Sequence, residues 1–323
     1  MAEEYIYAVA RVHSVEQRLL GSNDTEQLLS CRSYDEALRY LSDKGYGDGA
    51  SFDNYEQLLA FETEKTWSFI SELIDEPGLF DVFRYNADFH NVKASVKAAY
   101  SSVTPERVFI YSGTIEPERI YDAVKSENFD ILPQHIAEPA RMAYNMLTQT
   151  GDGQLCDILL DCASLNAIRD AGSMKKCKNE FIHGYAELYV ALTDIKIAVR
   201  ANKTKKSDDF LTSALAQCDA FSVSELSSAA LSYDRLLGFL TDKGFGDVSD
   251  ALSVSLSEFE KVCDNRIMEY IRLQRTNCFT LAPVAAYILA RENEIKTVRL
   301  ILAAKLNHLD DDAVRSRLRR TYV

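Results

Sequence analysis

The stretch "LSDKGYGD", residues 41–48, carries the glycines of a phosphate-binding loop, but the elements around it come in the wrong order. A phosphate cradle needs a strand running into glycines whose amides then open a helix. Here the helical pattern comes first. "SYDEALRYLSDKGY" starts at Ser33, has Glu36 three residues on to complete a capping box, and ends at Gly45. With Gly45 as the left-handed residue beyond the helix, Lys44 is the C-cap, and Leu41 and Tyr46 form the hydrophobic pair of a Schellman motif. The same words return as "LTDKGFGD", residues 240–247, with Gly244, Leu240 and Phe245 in the same roles. Tyr34–Asp48 and Tyr233–Asp247 share nine of fifteen residues, and the pairs Ser42/Thr241 and Tyr46/Phe245 keep size and character. The stretch is read as a repeated helix ending.

A shorter echo occurs three times, as "NVKASVKA" from Asn91, "DIKIAVRA" from Asp194 and "TVRLILAA" from Thr297, each 103 residues from the last. Equal spacing together with the longer repeat points to three related helical units, placed at 1–105, 106–215 and 216–323. Only 13 glycines and six prolines punctuate 323 residues, and apolar residues at helical spacing fill the intervals, so the fold class is all-α. In "LSEFEKVCDNRIMEYIRL" the apolar residues Leu256, Phe259, Val262, Ile267, Tyr270 and Ile271 mark one buried face.

A hydrophobic content of 47% is ample for a core, and a net charge of −13 works against nonspecific binding to nucleic acid or anionic lipid. The seven cysteines, Cys31, Cys156, Cys162, Cys177, Cys218, Cys263 and Cys278, form no CxxC and are odd in number, which fits reduced thiols acting as small buried hydrophobes. The first twenty residues are acidic and then amphipathic, unlike a secretory signal. The longest nearly apolar run, residues 278–290, has 13 residues, whereas a bilayer span takes about 20. No transmembrane span is expected.

Sites of chemistry are not evident. The histidines His13, His90, His135, His183 and His308 make no HExxH or HxxxH pair and none stands beside a cysteine at ligand spacing, so no metal site and no cofactor is expected. There is no GxSxG, and no catalytic residue is assigned. "LDDDAVRSR" invites comparison with the DDxxD motif of helical enzymes that use magnesium diphosphate, the alternative reading of this chain. Counting from Asp310 or Asp311, however, the fifth position is Val314 or Arg315, so the carboxylates do not converge on a cation. Acids at a helix start also complement its dipole. His90 is read first as a hydrogen-bonded core residue and second as a partner contact. Arg315, Arg317, Arg319 and Arg320 in the tail suit either a docking patch for an acidic partner or the end of a helix, and the two roles are compatible.

Residues 281–323, ending in "RLRRTYV", resemble the C-terminal signature of the C subunit of the V/A-type rotary ATPases, the family that includes the eukaryotic d subunit. The features are an apolar helix, an Asn/Glu-containing bend, an apolar-Arg helix and an acidic turn. "FRYNADFHNVKASVKA", residues 83–98, resembles the family's Arg-x-x-Asp-x-His-Asn stretch with Asp88, His90 and Asn91 in register, and "YIYAVARVHSVEQRLL" its opening helix. The middle unit departs, with Asp194 where a closer copy would carry Asn, and Ala303 replaces the basic residue found at Lys97 and Arg200. The compact length resembles the bacterial and archaeal form. The resemblance implies a funnel of three pseudo-symmetric helical units without an active site. It further implies a rotor component that joins the central stalk, built of the D and F subunits, to the membrane ring of proton- or sodium-carrying subunits, at the cytoplasmic face of the membrane.

Overall fold

A computed structural model of the chain describes residues 2–101, 103–105, 108–277 and 279–323, with side chains from Tyr5 onward. The described residues form helices, turns and loops with no strand, as the spacing of apolar residues predicts. They pack as two compact units, one of residues 1–77 with 250–323 and the other of residues 78–249.

The first unit opens with α1 (Ala2–Glu16), α2 (Ser22–Ser30), α3 (Tyr34–Asp43) and α4 (Tyr55–Leu73). The second holds α5 (Tyr85–Ser101), α6 (Pro117–Lys125), α7 (Gln134–Thr150), α8 (Gly153–Ala171), α9 (Met174–Cys177), α10 (Glu180–Lys203), α11 (Asp208–Ala214), α12 (Val223–Ala230) and α13 (Tyr233–Asp242). Helix α14 (Gly246–Val254) carries the chain back to the first unit, which α15 (Leu256–Arg272), α16 (Ala282–Leu306) and α17 (Asp311–Arg315) complete.

Both repeated helices are followed by a glycine in the left-handed region. Ser33 accepts the Glu36 N–H at the start of α3, and Gly45 follows the helix at φ +88°. The Glu36 carboxylate takes the N–H of Arg32 rather than that of Ser33, so the second arm of the expected capping box falls one residue early. After α13, the Gly244 N–H reaches the Thr241 carbonyl and the Phe245 N–H reaches the Leu240 carbonyl, the paired bonds of a Schellman motif, with Gly244 at φ +84°. The copies diverge beyond the aromatic residue: Gly47 continues at φ +78° in a tight turn, while Gly246 opens α14.

In the first unit, α2, α3 and α4 pack on the second half of α16, with Leu28, Leu29, Leu41, Leu59, Val298 and Leu302 wholly buried. In the second, α5, α6, α7 and α8 enclose Val92, Val96, Ile120, Ile136, Ala140 and Leu160. Burying each such leucine, isoleucine or valine contributes about 1.5–3 kcal/mol. The first half of α16 is enclosed on every side: each residue from Ala282 to Arg291 is buried.

Three expectations are corrected. The buried face of α15 is Phe259, Cys263, Met268 and Ile271; Val262, Ile267 and Tyr270 are half-buried and Leu256 is exposed. Its neighbours cover a stripe that takes in a thiol and a thioether, both of which pack as apolar groups. The Asn/Glu-containing bend is no bend, because α16 runs unbroken through Arg291–Glu294. Cys31, Cys156, Cys218 and Cys263 are buried, but Cys162 and Cys177 are only half-buried, and Cys278 lies outside the described residues.

Candidate functional site

Each of the three helices that carry the repeated octet buries an acid whose carboxylate takes the backbone N–H of a distant turn. On α5 it is Asp88, on α10 Asp194 and on α16 Glu294. A buried turn leaves N–H groups without helical partners, and a carboxylate fixed on a rigid helix supplies charge-assisted acceptors for them.

Asp88 organises the loop before α6. One oxygen accepts the N–H groups of Thr114 at 2.8 Å and Ile115 at 3.1 Å, and the other accepts the Thr114 hydroxyl at 2.7 Å. Burial raises the Asp88 pKa above the usual carboxylate range, while these donors and Arg84 draw it back. The loop passes so close that a Cβ on Gly113 would lie 2.3 Å from the carboxylate oxygen, which no side chain tolerates. Arg84 donates to the Ser112 and Gly113 carbonyls on the same loop. One turn on, Asn91 grips Ile110 by both ends of its amide, donating to the carbonyl at 2.8 Å and accepting the N–H at 2.9 Å. His90 bonds the Val108 carbonyl through Nε2 at 2.8 Å. The Asp88–Asn91 run thus pins the loop from residue 108 to residue 115.

Glu294 belongs to a larger centre. Its Oε2 accepts the Leu20 N–H at the turn between α1 and α2, and its Oε1 accepts the Tyr46 hydroxyl at 2.6 Å and the Arg291 guanidinium. The other arm of Arg291 reaches Glu62 on α4 at 2.6 Å, and Glu62 in turn accepts the Gly47 N–H at 2.7 Å. The guanidinium lies 5.3 Å from the centroid of the Tyr46 ring. Burial opposes the charge on Arg291, but Glu294 foremost, with Tyr46, Tyr287 and Glu62, outweighs it and raises the pKa. Burial, with Glu294 beside it, also holds the Tyr46 hydroxyl neutral, far above the usual phenol range. One arginine and two glutamates therefore tie α16 to α4 and to two turns.

A family model described as ATP synthase (C/AC39) subunit matches residues 8–317. The chain belongs to the ATP synthase (C/AC39) subunit family. The resemblance seen in its sequence is thereby borne out. Relatives of this C/AC39 chain include the C subunit of the V-type sodium ATPase of Enterococcus hirae, 23% identical over 95% of both chains. The C subunit of the A-type ATP synthase of Haloferax volcanii is 25% identical over 97% of this chain and 96% of its own. That of Haloquadratum walsbyi is 29% identical over 41% of each.

The C-terminal segment of the C/AC39 chain is held down along its length. Arg315 pairs with Glu26 on α2 and with Asp312, and Arg319 meets Asp264 on α15 at 2.7 Å. The Arg320 N–H reaches the Asn265 side chain, and the buried Tyr322 donates to Glu16 on α1 at 2.9 Å. Arg317 is exposed. Asp310 caps α17 by accepting the N–H groups of Asp312 and Ala313, Asp311 pairs with Lys305, and Asp312 with Arg315. Those three carboxylates are thus turned to separate local partners. Among the described residues there is no group of three or more His, Cys, Asp or Glu placed to hold a metal ion. No described helix is long and apolar enough to cross a membrane.

Of the residues singled out in the sequence, Ser33, Gly45 and Gly244 sit at helix ends, His90 on α5 facing the pinned loop, and the four arginines on the C-terminal segment. Sequence reasoning passed over Glu62, Arg291, Glu294 and the loop-pinning role of Asp88. A signal was present in α16, where Arg291 and Glu294 follow the apolar run 282–290 at the three-residue spacing that puts them on one face. Asp88 and Glu294 are 206 residues apart, twice the spacing of the octets, with Ala191 between them in register. The Tyr46/Phe245 pair does not keep its character fully, since the Tyr46 hydroxyl is spent on Glu294 and phenylalanine has none.

Proposed function

We propose that this chain is the non-catalytic rotor component of a V/A-type rotary ATPase, coupling the central stalk of the D and F subunits to the membrane ring that carries protons or sodium ions. The observation that carries the reading is the family match over residues 8–317, with relatives named as the C subunit of V-type and A-type complexes aligned along 95–97% of the chain. Three helical units, at 1–105, 106–215 and 216–323, would share one plan in which an octet-bearing helix fixes a remote turn through a buried acid. Asp88, Asp194 and Glu294 support that plan.

A coupling element must pass torque without yielding inside. Helix α16, about 37 Å long at 1.5 Å per residue, is braced by charge-assisted bonds to elements more than 200 residues away in sequence. Such contacts resist sliding because any shift leaves a charge buried without its partner. On this reading the chain is a peripheral component at the cytoplasmic face, where Arg317 and Arg320, both exposed, would offer positive charge to an acidic partner. His90, half-buried on α5 beside the pinned loop, is proposed as a second partner contact.

Co-expression with the two stalk proteins, D and F, tests the assignment. A stable ternary complex is expected, and magnesium-dependent turnover by the isolated chain would contradict it.

A further inference from the structure

The three buried acids are not equally provided for. Asp88 receives two N–H groups and a hydroxyl, and Glu294 receives an N–H, a hydroxyl and a guanidinium. Asp194 is wholly buried yet receives one N–H, that of Ala216, shared between its two oxygens at 3.1 and 3.2 Å. A carboxylate has room for about four such donors. No ion pair answers it among the described residues.

The repeat sharpens the comparison. Asp194 stands 103 residues after Asn91, in the same octet position, and each side chain reaches a loop about twenty residues downstream. Asn91 holds its loop with a donor and an acceptor. An ionised aspartate has no proton to donate and retains only the acceptor half; the neutral acid has both.

The groups packed around Asp194 do not neutralise it. Cys162 on α8 and Cys218 after α11 are thiols whose own ionisation burial suppresses first and the Asp194 charge further. Asp161 on α8 is paired with Lys93, and Glu187 on α10 accepts the Asp219 N–H and faces Arg169. Asp208 and Asp209 on α11 are exposed at its first turn, and Glu225 on α12 is taken by Lys243. Lys175 and Lys176 on α9 are exposed, as is Arg200 on α10 itself, with Lys196 half-buried.

We propose that Asp194 is a proton-operated pin on the segment between α11 and α12. As the neutral acid it carries no buried charge and offers the loop a donor as well as an acceptor. On losing its proton it becomes an uncompensated buried anion holding one shared N–H, and the segment from residue 215 to residue 221 loosens. Burial, against the single Ala216 hydrogen bond, lifts the carboxyl to about 7, so the change falls near neutral pH.

Hydrogen exchange of the 211–221 segment in the full chain, corrected for intrinsic rates, tests this in wild type and in Asp194→Asn. Protection in wild type is expected to fall about tenfold between about pH 6 and about pH 8, and the variant is expected to show no such fall. Constant wild-type protection, or the same fall in both proteins, overturns the proposal. Should the variant fail to fold, a carboxyl-carbon NMR titration of wild type replaces it. An Asp194 midpoint near neutrality supports the pin, and one below about 5, close to an ordinary carboxylate, overturns it.

Discussion

Arg291 on α16 and Glu62 on α4, 229 residues apart in sequence, meet at 2.6 Å in the interior of the first unit. Neither could remain there alone, because a charge taken out of water without a partner costs several kcal/mol. Arg291→Ala takes the guanidinium from both Glu62 and Glu294 and leaves Glu62 the more distant Lys65 ammonium at 3.6 Å. The expected loss is about 3–5 kcal/mol of unfolding free energy, read by denaturant titration; a loss under about 1 kcal/mol, the scale of an exposed pair, would show that the centre is not a brace. Arg291→Met with Glu62→Gln and Glu294→Gln, which remove the charges but keep carbonyl acceptors for the Gly47 and Leu20 N–H groups, should recover much of the loss.

Tyr46→Phe makes the first copy of the repeat like the second. It removes the hydroxyl that Glu294 accepts and leaves the ring in place. A cost of about 1.5–3 kcal/mol follows from the lost charged hydrogen bond, visible as a lower denaturation midpoint at unchanged slope.

Gly113→Ala puts a methyl group where the Asp88 oxygen already lies, 2.3 Å from the ideal Cβ. The loop must move off Asp88, so faster exchange of the Thr114 and Ile115 amides is expected. Gly45→Ala meets no atom within 4 Å and strains only the backbone at φ +88°, costing about 1–2 kcal/mol. Native-like exchange at 114–115 in the first variant, or an unchanged melting temperature in the second, would refute the respective reading.

The buried acids set the sign of a pH dependence. Burial raises the folded-state pKa of Asp194 to about 7 from an ordinary 3.8, so the folded state holds the proton longer than the unfolded chain. The stability this contributes is complete below about 3.8 and is lost as pH rises through about 7. It amounts to at most about 4 kcal/mol. Asp88, raised in the same direction, adds to the trend. Asp194→Asn should therefore flatten the stability profile between about pH 4 and about pH 7, as measured by thermal melts at a series of pH values.

What could be read in the sequence follows from range. Helix ends such as Ser33, Gly45 and Gly244 depend on neighbours within five residues, and local rules located them. The all-α class needed only periodicity. Arg291 finds Glu62 across 229 residues, and no spacing rule says which of two charged residues on a helix turns inward. Helix α15 failed for a related reason: its apolar residues span more than one face, and the neighbours that choose Cys263 and Met268 over Val262 and Ile267 lie elsewhere in the chain. The asparagine-to-aspartate change at Asp194 was visible as a departure, but its consequence depended on seeing that Asn91 uses both ends of its amide.

The role proposed for the chain is to couple ion flow to nucleotide turnover without catalysing either. The direct measurement is ATP-driven ion uptake into vesicles holding the complete complex, beside a complex assembled without this chain. Omission is expected to abolish uptake while ATP hydrolysis by the catalytic head persists uncoupled, and adding the purified chain is expected to restore uptake. Undiminished uptake without the chain would contradict it.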